Sequence, residues 1–235
     1  MLELWELRGK NDCRYSTFSW RTRLALLHKR LAFELRPVSA SDKEAIRFSG
    51  QDKVPIIRDG ARVVSDSWKI ACFLEEQYPS RPSLFGGEVG RNLTHFFNMW
   101  ADRELIPMLV PPLMLDVLAC VEDKDAAHLR SRIEGIFKRK LEELSAERTK
   151  SLDQFRKRLA PVRKMISDTP FICGRNPAYA DYIVFGALQW ARVVSTQKLL
   201  QEDDILAPWF ERVLDLYEGA GRRERSRQER MEQAA

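Results

Sequence analysis

Apolar and polar positions alternate from the start of the chain. Leu2, Leu4 and, through Trp5, Leu7 read as a strand over residues 2–8. After a polar loop, Gly9 to Tyr15, the period changes, and Phe18, Leu24, Ala25, Leu27 and Leu31 fall at helical spacing. Ala32 to Val38 predicts a second strand, and a short helix follows around Asp42 to Phe48. A β-branched run containing Val54-Pro55 meets a turn at Asp59-Gly60, and Arg62 to Val64 continues as another short strand. Ser65-Asp66-Ser67 then opens a helix over 67–77, which buries Trp68, Ala71, Cys72 and Leu74 and ends before Pro79. The order β-α-β-α-β-β-α, closed by residue 80, requires both parallel and antiparallel pairing.

Beyond that point only helical patterns occur. Residues 79–90, PSRPSLFGGEVG, have the composition of a linker. Arg91 to Cys120 is apolar at helical spacing through Leu93, Phe96, Phe97 and Trp100, with Pro107, Pro111 and Pro112 expected to kink or break it. Lys124 to Arg148 and Ser151 to Ser167 are amphipathic, each charged along one face. Ala180 to Val194 is almost wholly apolar and predicts a buried central helix; Ile205 to Tyr217 forms a last helix stopped at Gly219. The Arg-rich run from Gly221 is expected to be a frayed, solvated segment. The chain therefore divides into an α/β unit (1–80), a linker (81–90), an all-helical unit (91–221) and a charged tail (222–235).

Composition narrows the partners. At 44% hydrophobic and 31% charged the chain has ordinary globular character, and no apolar run approaches the length of a membrane-spanning helix. The formal charge of +5 is concentrated in the first 80 residues, with 14 Lys/Arg against 11 Asp/Glu, and in the tail; residues 81–221 balance. That is too diffuse for a nucleic-acid surface, yet it would help attract a small acidic ligand. Cys13, Cys72, Cys120 and Cys173 are widely spaced, which fits reduced thiols and a cytoplasmic setting. The first residues already read as a strand, so no signal or transit peptide is expected. His28, His95 and His128 have no metal-ligand spacing, and no metal is expected.

Two local features point to a small, anionic, peptide-like ligand. Pro55 lacks an N–H and belongs at a strand start or edge, where neighbouring backbone groups stay open, and its X-Pro bond is a candidate for the cis form. Asp66 and Ser67 sit at a helix N-terminus, where unpaired N–H groups and the macrodipole attract a carboxylate. Taken alone, Asp66-Ser67 reads first as a helix cap; the ligand reading leads once Val54-Pro55 is set beside it.

With these features in their order, the chain resembles a cytosolic glutathione transferase along nearly its whole length. The marks are Val54-Pro55, Asp66-Ser67, and residues 174–182, GRNPAYADY, opening the buried helix. More narrowly, residues 16–26 (STFSWRTRLAL), 64–71 (VSDSWKIA), 78–85 (YPSRPSLF) and 180–183 (ADYI) resemble the etherase group. These are the bacterial β-aryl-ether-cleaving glutathione transferases and the related etherase-type class of wood-decaying fungi. The resemblance implies a thioredoxin-like N-terminal domain with an all-α C-terminal domain, glutathione as co-substrate, a small aromatic or hydrophobic electrophile, and a homodimer.

It also implies roles for individual residues. Ser67 and Asp66 would hold the γ-glutamyl end of glutathione, the Val54 backbone would pair with its cysteinyl unit like an added strand, and Lys53 would meet a terminal carboxylate. The thiol must be activated, and Ser16 aligns with the activating serine of the etherase group, although Thr17 stands where that group has proline. Ser19, Tyr15 and Cys13 are the alternatives; Ser19 reads as a helix N-cap, and Cys13 begins a superficial CxxS pattern. Trp100, Met108 and Trp190 are candidates for an apolar substrate pocket, or else core. Asp181 is read as a folding residue of the buried helix, with Ala178 where the family commonly has a Ser/Thr cap. Glutathione-dependent peroxide or disulfide reduction and a non-catalytic carrier of aromatic ligands remain alternative functions.

Overall fold

The computed structural model describes residues 1–234; Ala235, the last residue of the expected tail, lies outside the described residues. Four strands, β1 (Leu2–Leu7), β2 (Phe33–Val38), β3 (Ile56–Asp59) and β4 (Arg62–Ser65), form one sheet in the order β2-β1-β3-β4. β1 pairs parallel with β2 and antiparallel with β3, and β4 pairs antiparallel with β3. Helices α1 (Thr17–His28) and α2 (Ser67–Gln77) complete a thioredoxin-like unit. Leu2, Leu4 and Ile57 face the main core, whereas Trp5, Val38, Ile46 and Ile56 form a second cluster on the other face. The helix expected at 42–48 is a 3-10 turn, Glu44–Ser49, whose Phe48 lies 4.6 Å from Trp5 between ring centroids.

Nine helices make up the rest of the described chain: α3 (Glu88–Trp100), α4 (Ile106–Cys120), α5 (Asp123–Phe137), α6 (Leu141–Ala146), α7 (Arg148–Arg158), α8 (Ala160–Ile166), α9 (Tyr179–Val194), α10 (Leu206–Gly219) and α11 (Arg227–Ala234). α9 is the central helix, and every one of its residues except Arg192 is buried. Asp181 holds its start: Oδ1 accepts from Ile172 N (2.8 Å) and Trp209 Nε1 (2.9 Å), and Oδ2 accepts from Ala178 N (3.0 Å). Ala178 has no side-chain acceptor, so only one half of a capping box exists there. Among the described residues no helix is long and apolar enough to cross a membrane.

Other expectations change too, including the helix expected over 151–167, which is divided at Leu159 into α7 and α8. The 91–120 helix is interrupted before Pro107, by a π turn over Ala101–Leu105, while Pro111 and Pro112 sit inside an unbroken α4. The predicted helix 124–148 is split because Lys138 adopts φ 55°, a left-handed stop from a residue that carries no sequence signal for one. Leu93 and Phe96 are 67% and 74% exposed, so the apolar spacing of α3 marks an outward stripe in addition to a core face. The expected frayed tail is docked: Glu224 is buried, accepts from Arg14 N at 3.1 Å, and its carbonyl accepts from Arg192 Nη1 at 2.6 Å. Arg230 Nη1 reaches Asn11 O at 3.0 Å, so α11 lies against the loop that precedes α1.

Candidate functional site

Sheet register gathers the candidates at one end. The C-terminal end of β1 lies beside the start of β3 (Trp5 pairs with Ile56), and Ile56 pairs in turn with Ser65 at the end of β4. The loop leading to α1, the Val54-Pro55 step and the start of α2 therefore share one edge of the sheet. The Val54-Pro55 bond is cis, and Asp66 N donates to Pro55 O at 3.3 Å. Val54 is half-buried, and among the described residues neither its N–H nor its C=O has a hydrogen-bond partner. Lys53 is exposed beside it.

Asp66 is the N-cap of α2: Oδ1 accepts from Trp68 N and Lys69 N, both at 3.0 Å. The capping role is thus real, but it uses one carboxylate oxygen and leaves the exposed side chain a second. Its backbone is at φ 79°, ψ 125°, a conformation rare for a non-glycine residue, of the kind that concentrates at functional sites. Ser67 follows as the first helical residue and is buried at 3% exposure; its hydroxyl has no partner among the described residues.

Ser16, and not Ser19, caps α1. Its Oγ accepts from Ser19 N at 3.2 Å, and its own proton has no acceptor among the described residues. The hydroxyl is therefore a donor held at a helix N-terminus. Close packing fixes that turn: a Cβ on Gly186 of α9 would lie 2.6 Å from Thr17 O, so only glycine allows α9 this near. Ser19 is the third residue of α1, and its Oγ is buried without a partner. Tyr15 packs toward Gly9 and the two cysteines Cys13 and Cys120; burial first, and then the Asp125 charge, push its phenol well above the ordinary value of 10.0. Cys13 is 1% exposed, and the neighbouring Cys120 thiol, followed by burial, drives its thiol strongly upward, which removes it as a ready thiolate.

One charged residue of this region escaped the sequence reading. Arg21, on α1, is completely buried, donates from Nη1 to Asn98 Oδ1 at 2.9 Å, and places Nη2 2.8 Å from Asp102 Oδ1. That last contact is poorly angled, so Nε and Nη2 have no hydrogen-bond partner. Asp102 sits on the π turn, steadied by Asn98 Nδ2 at 2.9 Å. The charges of Arg21, Asp66 and Asp102 all reach the phenol of Tyr179, whose hydroxyl donates to Ser67 O at 2.7 Å, so Arg21 belongs to the Ser67 neighbourhood. The available signal was an arginine on the same helical face as Leu24 and Ala25.

The pocket candidates separate. Trp100 and Met108 line a cleft of about 590 Å³ with Gln154, Lys157, Arg158 and Pro161. Trp190 does not join them; at 7% exposure it is core, because α9 is covered on nearly every side.

Comparison with known proteins agrees with this architecture. Residues 15–77 match the model of the glutathione S-transferase N-terminal domain, and residues 92–216 match that of the C-terminal domain. The second match alone spans more than half of the chain, which belongs to the glutathione S-transferase family. Among solved structures, the glutathione transferase GSTFuA3 from Phanerochaete chrysosporium superposes with a TM-score of 0.74 at 22% identity, covering 93% of this chain and 92% of that one. The glutathione S-transferase CsGST63524 of Ceriporiopsis subvermispora, in complex with glutathione, gives 0.74 at 22% identity over 95% and 94%. At that identity the likeness establishes the fold. A zeta class glutathione S-transferase of Euphorbia esula is 38% identical over 74 residues, 29% of this chain; the chain covers only 33% of that relative's length.

Proposed function

We propose that this protein is a serine-type glutathione transferase, in which Ser16 donates to the glutathione thiolate as it attacks an aromatic or hydrophobic electrophile. The observation that carries the reading is the unspent hydroxyl proton of Ser16 at the α1 N-terminus. A free thiol titrates near about 8.5, and lowering that by two units requires roughly 2.7 kcal/mol of differential stabilisation. One hydroxyl donor and a helix N-terminus together supply energy of that order.

The rest of glutathione has matching partners. Ser67 suits the γ-glutamyl carboxylate, and Asp66 keeps a carboxylate oxygen for the ammonium. Val54 offers both backbone groups to the cysteinyl unit, with Lys53 for the terminal carboxylate. The co-crystallised glutathione in the Ceriporiopsis relative supports the same ligand. Residues 1–80 form the glutathione side and 91–221 the electrophile side, where Trp100 and Met108 line the cleft. For the electrophile we favour the etherase class: sulfur bonds to the carbon bearing an aryloxy group in an α-aryloxy ketone, and the aryloxide leaves. The setting is cytoplasmic and the assembly a homodimer, with the α3 stripe of Val89, Leu93 and Phe96 as the face that a second copy covers.

A carrier of aromatic ligands is the second reading. It is favoured by a cavity of about 420 Å³ in which Leu188, Leu199, Leu200, Ala207 and Phe210 are joined by charged residues such as Arg192 and Glu211, formed away from Ser16 by α9, α10, the segment between them and the start of α11.

Calorimetric titration of glutathione into the parent, Asp66→Asn and Ser67→Ala tests the site. Asp66→Asn keeps a cap acceptor but removes the charge, so folding stability should hold within about 0.5 kcal/mol while affinity falls. Ser67→Ala should also weaken binding, by roughly 1–2 kcal/mol. Equal affinities in all three proteins would reject this placement of glutathione.

A further inference from the structure

Two thiols meet where the loop before Ser16 crosses the end of α4. Cys13 lies in that loop and Cys120 is the last residue of α4. The approach is tight: a Cβ on Gly9 would lie 2.2 Å from Cys120 O, and Gly9 N donates to Cys13 O at 2.8 Å. Each sulfur is the largest single influence on the other's protonation, so the two side chains are immediate neighbours. Cys120 Sγ is also 3.6 Å from Val194 O and 3.7 Å from Arg227 Nη1 of the docked α11. Arg227 Nη1 donates to Cys120 Sγ, so Cys120 is the sulfur that carries negative charge more readily; its thiol is lowered by the neighbouring Cys13 first, and the Arg227 and Arg230 charges assist.

We infer that Cys13 and Cys120 form a redox modification site, a buried dithiol that hydrogen peroxide closes to a disulfide. The Cys120 thiolate attacks one peroxide oxygen; the O–O bond breaks, hydroxide leaves and is protonated to water, and Cys120 becomes a sulfenic acid. The Cys13 sulfur then attacks Cys120 Sγ, the S–O bond breaks, and the sulfenic oxygen departs as a second water with the Cys13 proton. Two thiols are oxidised and one peroxide is reduced to two waters. The exposures of Cys13 and Cys120, 1% and 3%, select a small oxidant over a bulky disulfide. The bridge would staple the loop that presents Ser16 to the C-terminal half, and reversible disulfides of this kind are the usual form in reducing compartments.

The remaining thiols provide the comparison. Cys173 is exposed, and Cys72 is buried on α2. The test uses the whole 235-residue chain carrying Cys173→Ser, which removes the exposed thiol and with it intermolecular bridging. After hydrogen peroxide treatment, alkylation and digestion without reductant, mass spectrometry should find a Cys13–Cys120 peptide pair lighter by two hydrogens than the free peptides. Dithiothreitol should abolish it, and the bridged protein should melt at higher temperature because the bridge closes a long loop. Oxidation of Cys72 while Cys13 and Cys120 remain alkylated thiols would overturn the inference. So would separate sulfinic or sulfonic acids at the two positions with no linked peptide.

Discussion

The hydroxyl of Tyr179, fully buried at the start of α9, donates to the carbonyl of Ser67 at 2.7 Å. The central helix of one half of the molecule thus holds the first residue of α2 in the other. Tyr179→Phe removes this bond with little change of shape. It should lower unfolding free energy by about 1 kcal/mol and weaken glutathione binding by up to roughly fivefold, as Ser67 loosens. Denaturant titration and calorimetry read the two effects separately. Lost stability with undiminished affinity would mean that α2 holds Ser67 unaided.

A second contact between the halves responds to acid. His28, in the last turn of α1, has Nε2 2.9 Å from Ser83 O, so that nitrogen carries the proton, and Nδ1 accepts from Tyr182 Oη at 2.7 Å. Burial, the largest influence, holds the imidazole below its ordinary value of 6.5. Below about pH 6.5 the unfolded chain therefore binds a proton that the folded chain still refuses, and stability falls as pH drops through that window. Above it, the His28 contribution is complete and flat. The difference in unfolding free energy between parent and His28→Gln should change between pH 7 and 5 in this sense; a constant difference would contradict the assignment.

Much of the glutathione side was legible because its signals are local. Alternation gave away β1, β-branched runs around Asp59-Gly60 the hairpin, and Asp66 its cap, since each depends on neighbours within a few residues. What stayed hidden depends on distant partners. Arg21 looks like a charged interruption of α1 until Asn98 and Asp102 are brought to it. Glu224 and Arg230 look like solvated charges until the loop at 11–14 meets them. Ser16 and Ser19 were both possible caps by residue type, and only the backbone geometry at Ser16 distinguishes them. Periodicity showed that α3 has apolar positions but not which of them face outward.

That outward stripe makes its own prediction. Val89, Leu93 and Phe96 recur at helical spacing and are each at least 67% exposed. A second copy covering them would be repelled by a charge, so Leu93→Glu and Phe96→Glu should shift sedimentation equilibrium from dimer to monomer while the helical circular dichroism stays unchanged. A parent protein that sediments as a monomer at micromolar concentration would refute the dimer.

The central claim is that Ser16 lowers the pKa of bound glutathione. The direct measurement is the ultraviolet thiolate absorbance of the glutathione complex against pH, in the parent and in Ser16→Ala. We predict a pKa about two units below the free thiol in the parent, returning most of the way in the variant, with turnover reduced by roughly 1.5–3 kcal/mol of transition-state stabilisation. An equally depressed pKa in Ser16→Ala, or none in the parent, would contradict the account.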